Sequence, residues 1–340
     1  MSRDKLLIIG VVVLGLLGFL VYKQQQKDAT LGQAMAMTKD FPSISAADDI
    51  DKVSISNGDK GEIVLEKVPD PKGPAADGGA GSMWMMTKPV KVPANQQTAK
   101  DLVSNLKELK VDAQVNLKLD DDVRKDKQLD AAHAVHIVAW KGSDKKVDEN
   151  FGKSGPAGQL VITSDRPDAV WAAKGYSSYL YTKEPKDFRD KDIFKFDDAS
   201  ASQVTIANAH GAFSFTKGGD KWAATLDKKP LDRFDEGKLK DMIRAFKALT
   251  ADDFGDGKSL ADVGLDKPEA TVTIQLKDGA GTYTLLVGKT ATGSNRWAKR
   301  PEDDTLLQIT NYSAEWATGD VAKFQSAADA GAGAGDGGKK

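Results

Sequence analysis

The chain has 340 residues, of which 29% are charged, and its formal net charge at pH 7 is only −2. This balance disfavours nucleic acid as a partner, because there is no basic excess to displace the counterions of a phosphate backbone. The sequence contains no cysteine, which excludes disulfides, thiolate zinc sites and a cysteine nucleophile.

The most apolar stretch is Leu6–Tyr22, which carries no charge. As a helix it would be roughly 25 Å long, close to the hydrocarbon thickness of a bilayer. Lys23 and a glutamine run follow it directly, which favours a retained transmembrane helix over a cleaved signal peptide. We predict a single-pass protein of the inner (cytoplasmic) membrane, with residues 1–5 in the cytoplasm and the body in the periplasm or otherwise outside the cytoplasm.

The rest of the chain divides by composition into a stalk, two repeats and a tail. We predict a polar stalk over residues 23–47, a first repeat over residues 48–196 and a second repeat over residues 197–325. Residues 326–340 are rich in Gly, Ala and Asp, and this composition predicts a disordered tail. Within the first repeat, Asp70–Ser82 is a Pro/Gly/Ala loop without apolar periodicity.

The first repeat is predicted to contain several short strands and one main helix. The helix is Thr98–Val111, because Leu102, Leu106 and Leu109 fall on one face. The predicted strands are Val53–Ile55, Ile63–Leu65, Met83–Met86, His133–Trp140, Val147–Phe151, Gln159–Thr163 and Ala169–Ala173. The predicted connections are the charged segment Asp120–Asp130 and the short helical turns Tyr176–Tyr181 and Pro185–Arg189.

The same order of elements then starts again. The inner face of the predicted helix Asp235–Thr250 lies 137 residues after the three leucines, and Gly288–Thr290 lies 136 residues after Gly152–Ser154. Tyr312 likewise lies 136 residues after Tyr176. A nearly constant offset predicts two copies of one unit. The predicted fold class is α+β: an N-terminal transmembrane helix and two tandem repeats, each an antiparallel β-sheet packed by one main α-helix.

Two short segments resemble the end of a phosphate-binding loop, namely Gly152–Ser154 (GKS) and Gly288–Thr290 (GKT). That loop needs a glycine five residues earlier, where Val147 and Tyr283 stand instead. Both segments are therefore interpreted as turns that leave a strand, in which glycine supplies a positive φ.

The sequence predicts no metal-ligating, cofactor-binding or catalytic residue. His133 and His136 lie three apart on one predicted strand, so they would point to opposite faces and could not share a metal. Met83, Met85 and Met86 are soft ligands that could hold Cu(I), but filling a core or an interface is the favoured interpretation.

Carboxylates give only a weak indication of a hydrolase. Asp262, Asp266 and Asp303 are the residues that could cluster in a pocket, and no Ser/His/Asp set accompanies them. We therefore predict that the protein is not an enzyme.

Five aromatic residues are the predicted contacts for a ligand or partner: Trp171, Tyr176, Trp297, Tyr312 and Trp316. Exposed rings would support the alternative function, an extracytoplasmic binding protein for a small ligand or glycan held in the cleft between the repeats. Their helical and strand spacing favours core packing instead.

The second repeat carries a recognisable motif. Asp262–Pro268 (DVGLDKP), the strand Thr271–Leu276 and then Leu285–Lys289 (LLVGK) are similar to the characteristic stretch of a bacterial family, the domain-of-unknown-function 4340 family. The segment Trp222–Pro230 and the helix after it fit the same pattern. The Gly-Leu-x-x-Pro element has no clear copy near Leu129, which predicts that the first repeat has lost whatever this element does.

The resemblance covers roughly residues 48–325 and implies a protein with one membrane helix and a repeated extracytoplasmic α+β body. Many members are encoded beside gliding-motility-type ABC transporter components or fused to them, and no catalytic residue is known for the family. We therefore predict a membrane-anchored extracytoplasmic interaction module, an accessory component of an ABC-transporter or cell-envelope assembly. Its predicted partners are the membrane, through Leu6–Tyr22, and a membrane or envelope protein, with no cofactor.

Overall fold

The computed structural model describes residues 41–46, 49–71 and 81–327, which form two units divided between Asp190 and Lys191. The predicted boundary, after residue 196, lies slightly further along the chain. The predicted membrane helix Leu6–Tyr22 lies outside the described residues, as do the stalk up to residue 40 and the tail from residue 328. Within the described ranges, no helix has the length and apolar character needed to cross a membrane.

The first unit is built on one nine-stranded antiparallel sheet. Its strands are β1 (Lys52–Asn57), β2 (Glu62–Pro69), β3 (Ser82–Lys88), β4 (Val92–Pro93), β5 (Lys110–Val115), β6 (Val135–Lys141), β7 (Asp144–Gly155), β8 (Gly158–Thr163) and β9 (Val170–Lys174). Their order across the sheet is β4-β3-β2-β1-β6-β7-β8-β9-β5. The α-helices are α1 (Gln96–Glu108), α2 (Asp121–Asp126) and α3 (Ser178–Tyr181).

The second unit repeats this plan. Its strands are β10 (Ala201–Asn208), β11 (Gly211–Gly218), β12 (Lys221–Leu226), β13 (Lys229–Pro230), β14 (Asp253–Phe254), β15 (Ala270–Leu276), β16 (Thr282–Thr290), β17 (Arg296–Lys299) and β18 (Leu307–Ile309). Its α-helices are α4 (Glu236–Phe246), α5 (Leu260–Val263) and α6 (Asn311–Thr318). The order β13-β12-β11-β10-β15-β16-β17-β18-β14 matches the first sheet strand for strand, which confirms the predicted repeat.

One main helix packs on the inward face of each sheet, as predicted. The side chain of Asn95 accepts a hydrogen bond from the backbone N–H of Thr98 and so caps α1, and Asp235 caps α4 in the same way. The apolar stripe of α1 enters the first core with the inward residues of β1, β2, β6 and β7. The corresponding stripe of α4 enters the second core.

The first predicted helix is wrong at its C-terminal end. Helix α1 ends at Glu108, Leu109 follows in an extended conformation, and Val111 belongs to β5. Strand β5 is absent from the predicted elements because the predicted helix extended to Val111, although Lys110–Val115 alternates between polar and apolar residues as a strand does. The predicted charged connection also contains a helix, α2.

A smaller apolar cluster covers part of the outward face of each sheet. In the first unit it joins Leu129 to residues of β8 and β9, and in the second it joins Leu265 to Val263, Trp297 and Leu306. Each sheet is therefore buried on both faces at one end, while the other end of its outward face remains open.

Candidate functional site

Three of the five predicted contact residues are buried. Trp171 lies in the first core, where the ring of Phe41 meets its indole edge-on at 6.3 Å between centroids. Trp316 lies in the second core, and Trp297 lies in the outward cluster around Leu265. These positions are those expected if the three rings serve packing.

The two tyrosines among the predicted contact residues, Tyr176 and Tyr312, differ in exposure. Tyr176 is partly buried and stacks between Phe151, at 4.3 Å, and Tyr181, at 5.0 Å between centroids. Burial raises the pKa of the Tyr176 hydroxyl. Tyr312 is 62% exposed and meets Trp316 edge-on, so it is the predicted contact residue with the most accessible ring.

The carboxylates considered for a hydrolase have structural partners. Asp262 and Ser259 form a reciprocal capping box at the start of α5, and the hydrogen bonds from Ser259 lower the pKa of Asp262. Burial would raise the pKa of Asp303, but hydrogen bonds, first among them one from Arg300, outweigh it and lower that pKa. Asp266 is exposed. Over the part of the chain that the structure describes, no group of His, Asp and Glu could hold a metal ion.

The predicted strand position of His133 is wrong. His133 lies in a turn before β6, where its Nδ1 is 2.8 Å from a carboxylate oxygen of Asp130. His136 does lie on β6, and its Nε2 is 2.8 Å from Asp148. Of the predicted soft ligands, Met86 is fully buried in the first core, as a packing residue would be.

The Gly-Lys segments are not turns. Gly152 and Gly288 lie inside β7 and β16, at irregularities in strand register, and neither has a positive φ. Glycine is needed for a different reason: a Cβ on Gly152 would lie 2.5 Å from the carbonyl oxygen of Lys127, and one on Gly288 would clash with that of Val263. The interpretation of these glycines as positive-φ turn residues is therefore wrong.

The motif of the second repeat contributes to the outward cluster around Leu265, which covers one end of the outward face. Gly264 ends α5 with φ of 71°, and the backbone N–H of Leu265 then donates to the carbonyl of Leu260 at 2.8 Å. This turn directs the side chain of Leu265 into the outward cluster. Lys289 Nζ donates to the carbonyl of Ala261 at 3.0 Å and ties β16 to the same helix.

The first repeat contains the same element under a different sequence. Gln128 takes the place of Gly264 with φ of 55°, and the backbone N–H of Leu129 donates to the carbonyl of Arg124 at 2.7 Å. Leu129 is buried against Leu160, as Leu265 is against Trp297. The prediction that the first repeat has lost whatever this element does is therefore wrong: its fold is kept without the glycine.

The open part of the outward face differs between the repeats. In the second unit, two cross-strand rows run over β12, β11, β10, β15 and β16, a third runs over β11, β10, β15 and β16, and all the side chains in these rows are uncharged. We call this surface the neutral face. Its rows are Ala223-Thr216-Gln203-Gln275-Thr282, Thr225-Ser214-Thr205-Thr273-Thr284 and Ala212-Ala207-Thr271-Leu286. An open depression lies on it around Thr205, Ala207, Ala212, Ser214 and Thr271, and Lys228 is also among its lining residues.

The equivalent surface of the first unit is charged. Lys52 pairs with Glu66 at 2.8 Å on neighbouring strands, and Lys88 pairs with Glu62 at 2.7 Å. Asp148 on β7 holds both His136 and Lys145. The two units thus share one topology, but at equivalent sheet positions the first unit has charged side chains and the second has uncharged ones.

The neutral face was not among the residues singled out from the sequence. Its signal is the recurrence of Thr, Ser or Ala at alternate positions in β10, β11 and β15, such as Gln203-x-Thr205-x-Ala207. Each strand alone reads as an ordinary half-buried strand. Only the register, which aligns these residues side by side, shows that uncharged positions from five strands form one surface.

Comparison with known families gives one match. A family model described as Domain of unknown function (DUF4340) matches residues 84–259 and 255–328. The matched residues include the α5 element, Gly288 and most of the neutral face. No curated protein and no solved structure matches the chain.

Proposed function

The chain belongs to the family described as Domain of unknown function (DUF4340), and on that premise we propose that it is a non-enzymatic interaction module. It is held in the inner membrane by Leu6–Tyr22 and presents its two repeats outside the cytoplasm. There it serves as an accessory component of an ABC-transporter or cell-envelope assembly. The apolar N-terminal stretch and the gene neighbourhood implied by the family resemblance support these two parts of the proposal.

The neutral face is the observation that carries the interaction role. In a chain with 29% charged residues, the three rows carry no charged side chain, although Lys228 also lines the depression on them. Charged residues are depleted at the cores of protein interfaces, because desolvating an unpaired charge is costly. The charged counterpart in the first unit shows that the fold itself does not require a neutral surface.

The test places positive charge at the depression on this surface. Ala207 and Ala212 are exposed and directly paired, so lysines there leave the core unchanged. We expect the A207K/A212K variant to lose the envelope partner that co-purifies with the wild-type full chain from detergent, at least ten-fold by quantitative mass spectrometry. The matched control is S56K, at the position of the first unit equivalent to Ala207. If A207K/A212K retains the partner, or wild type captures no membrane partner, the docking role is wrong.

Membrane anchoring is tested separately. An arginine at the centre of a membrane helix costs about 2.5–3.5 kcal/mol on insertion scales. We expect the L14R/L17R variant to move from the carbonate-resistant membrane fraction to the supernatant. A wild-type chain that is itself recovered in the supernatant would contradict the anchor and leave the docking test unaffected.

A further inference from the structure

The core of the first unit contains a carboxylic acid, Glu149. It lies on β7 between Val147 and Phe151, whose side chains enter the inward core, and the alternation of the strand directs Glu149 to the same face. Ile137 on β6 and Thr163 on β8 are its directly paired neighbours. Only 5% of Glu149 is exposed.

Three buried polar atoms on this face lack a hydrogen-bond partner among the described residues: Oε2 of Glu149, Oγ1 of Thr163 and Nε1 of Trp171. Thr163 is opposite Glu149, and Trp171 pairs with Val161, the next inward residue of β8. The three side chains therefore lie on one face of adjacent strands. An unpartnered buried polar group costs about 1–3 kcal/mol, and a charged one costs more.

The environment favours the neutral form of Glu149. Burial is the main cause that raises its pKa to about 8, and the carboxylates of Asp165 and Asp148 raise it further, while a backbone hydrogen bond from Asp148 acts in the opposite direction. The cation on the adjacent loop, Arg166, lies over the ring of Trp171 at 5.7 Å and 3.7 Å from Asp165.

No basic side chain is among the groups that shift the pKa of Glu149. On β6 and β7, His136 and Lys145 bond to Asp148 on the outward face. On the inward side, α1 has exposed charged residues, and its buried Asn105 accepts a hydrogen bond from the hydroxyl of Tyr181 at 3.0 Å. Burial raises the pKa of Tyr181 and of Tyr176, so both phenols stay neutral.

The second unit shows that the fold does not need a carboxyl at this position. Leu285 on β16 is opposite Val272, as Glu149 is opposite Ile137, and it is fully buried. At the position equivalent to Trp171 the second unit has Leu307. The polar cluster is thus a property of the first repeat and not of the shared architecture.

We infer that Glu149 is a proton-operated latch, which keeps β7 and β8 closed while it is protonated and lets them open locally when it ionises. The closed state retains a proton that an open state, with the ordinary carboxyl pKa of 4.5, would release. The stability of the closed state therefore falls as the pH rises between 4.5 and about 8, and it levels off above that. Between pH 6.5 and 9.0 the opening constant should rise about 30-fold.

Hydrogen exchange of the full chain in detergent tests the latch, with exchange times corrected for the intrinsic pH dependence. We expect peptides from β7 and β8 to lose about 30-fold in protection between pH 6.5 and 9.0. Peptides from β16 and β17 should keep their protection, because Leu285 on β16 stands at the position equivalent to Glu149. In the E149Q and E149L variants, the protection of β7 and β8 should not depend on pH over this range.

The matched control is E108Q, which removes an exposed carboxylate of the same unit and should retain the 30-fold change. If wild type changes less than three-fold, or if both Glu149 variants still respond to pH, the latch is wrong. Should E149L fail to fold, the isosteric E149Q decides alone. The neutral face is not involved, so either result leaves the docking proposal to its own test.

Discussion

Gly288→Ala is the sharpest test of why the motif of the second repeat contains a glycine on β16. A Cβ at this position would clash with the carbonyl oxygen of Val263 and would lie 3.0 Å from Leu265 Cγ and 3.2 Å from the backbone carbon of Gly264. Two of these three atoms belong to the backbone at the end of α5. The clash can therefore be relieved only if this backbone moves, together with the outward cluster around Leu265. Overpacking typically costs about 1–3 kcal/mol, and we expect the upper end, about 3 kcal/mol, because flexible side chains cannot absorb the clash.

The assay is urea unfolding of the full chain followed by tryptophan fluorescence, with a separate transition fitted for each unit. The control is Gly218→Ala, at the end of β11, where a Cβ would meet nothing within 4 Å and φ is not positive. It should change the free energy of unfolding by less than about 0.5 kcal/mol. If Gly288→Ala is equally mild, the close approach of β16 to α5 does not explain the motif, and a functional reason for this glycine must be sought.

Two further substitutions test features of the first unit. Asn105→Ala removes the acceptor for the Tyr181 hydroxyl and the donor to the Gly175 carbonyl at 2.8 Å. We therefore expect urea unfolding to show that the free energy of unfolding falls by about 2–4 kcal/mol. A decrease of less than about 1 kcal/mol would contradict this role of Asn105. Gln128→Gly removes the strain of a side chain at positive φ, but glycine also increases the entropy of the unfolded chain. We expect the free energy of unfolding to rise by about 0.5 kcal/mol in the same measurement. A destabilised variant would show that the glutamine side chain is needed.

The sequence was sufficient to predict the repeated architecture because the repeat preserves spacing. Apolar positions on α1 and α4 keep their helical period, and the inward residues of β6 and β15 keep their alternation. These patterns reflect burial, which both copies share. The duplication also implies that both sheets have the same strand order, but the order itself comes from the structure.

Two predictions failed because they depend on contacts between distant residues. Nothing local to Gly152 shows that the carbonyl of Lys127 lies against it, so the local sequence indicates a turn where the structure has a strand. Likewise, Gln128 adopts a backbone conformation that usually indicates glycine, which concealed the first copy of the α5 element. In both cases the tertiary approach of a strand to a helix end determines the residue's role.

The motif around Gly264 and Gly288 and the surface proposed for docking lie on different parts of the second unit. Gly264, Leu265 and Gly288 build the cover at one end of the outward face, and the first unit builds the same cover with different residues. A feature kept in both copies serves the shared fold. The neutral face occurs in one copy only, where the other has the pairs Lys52–Glu66 and Lys88–Glu62. Since duplicated units start with the same surface, this difference is the reason for proposing the second repeat as the docking site, and we expect lysines on its neutral face to abolish docking without altering the outward cluster.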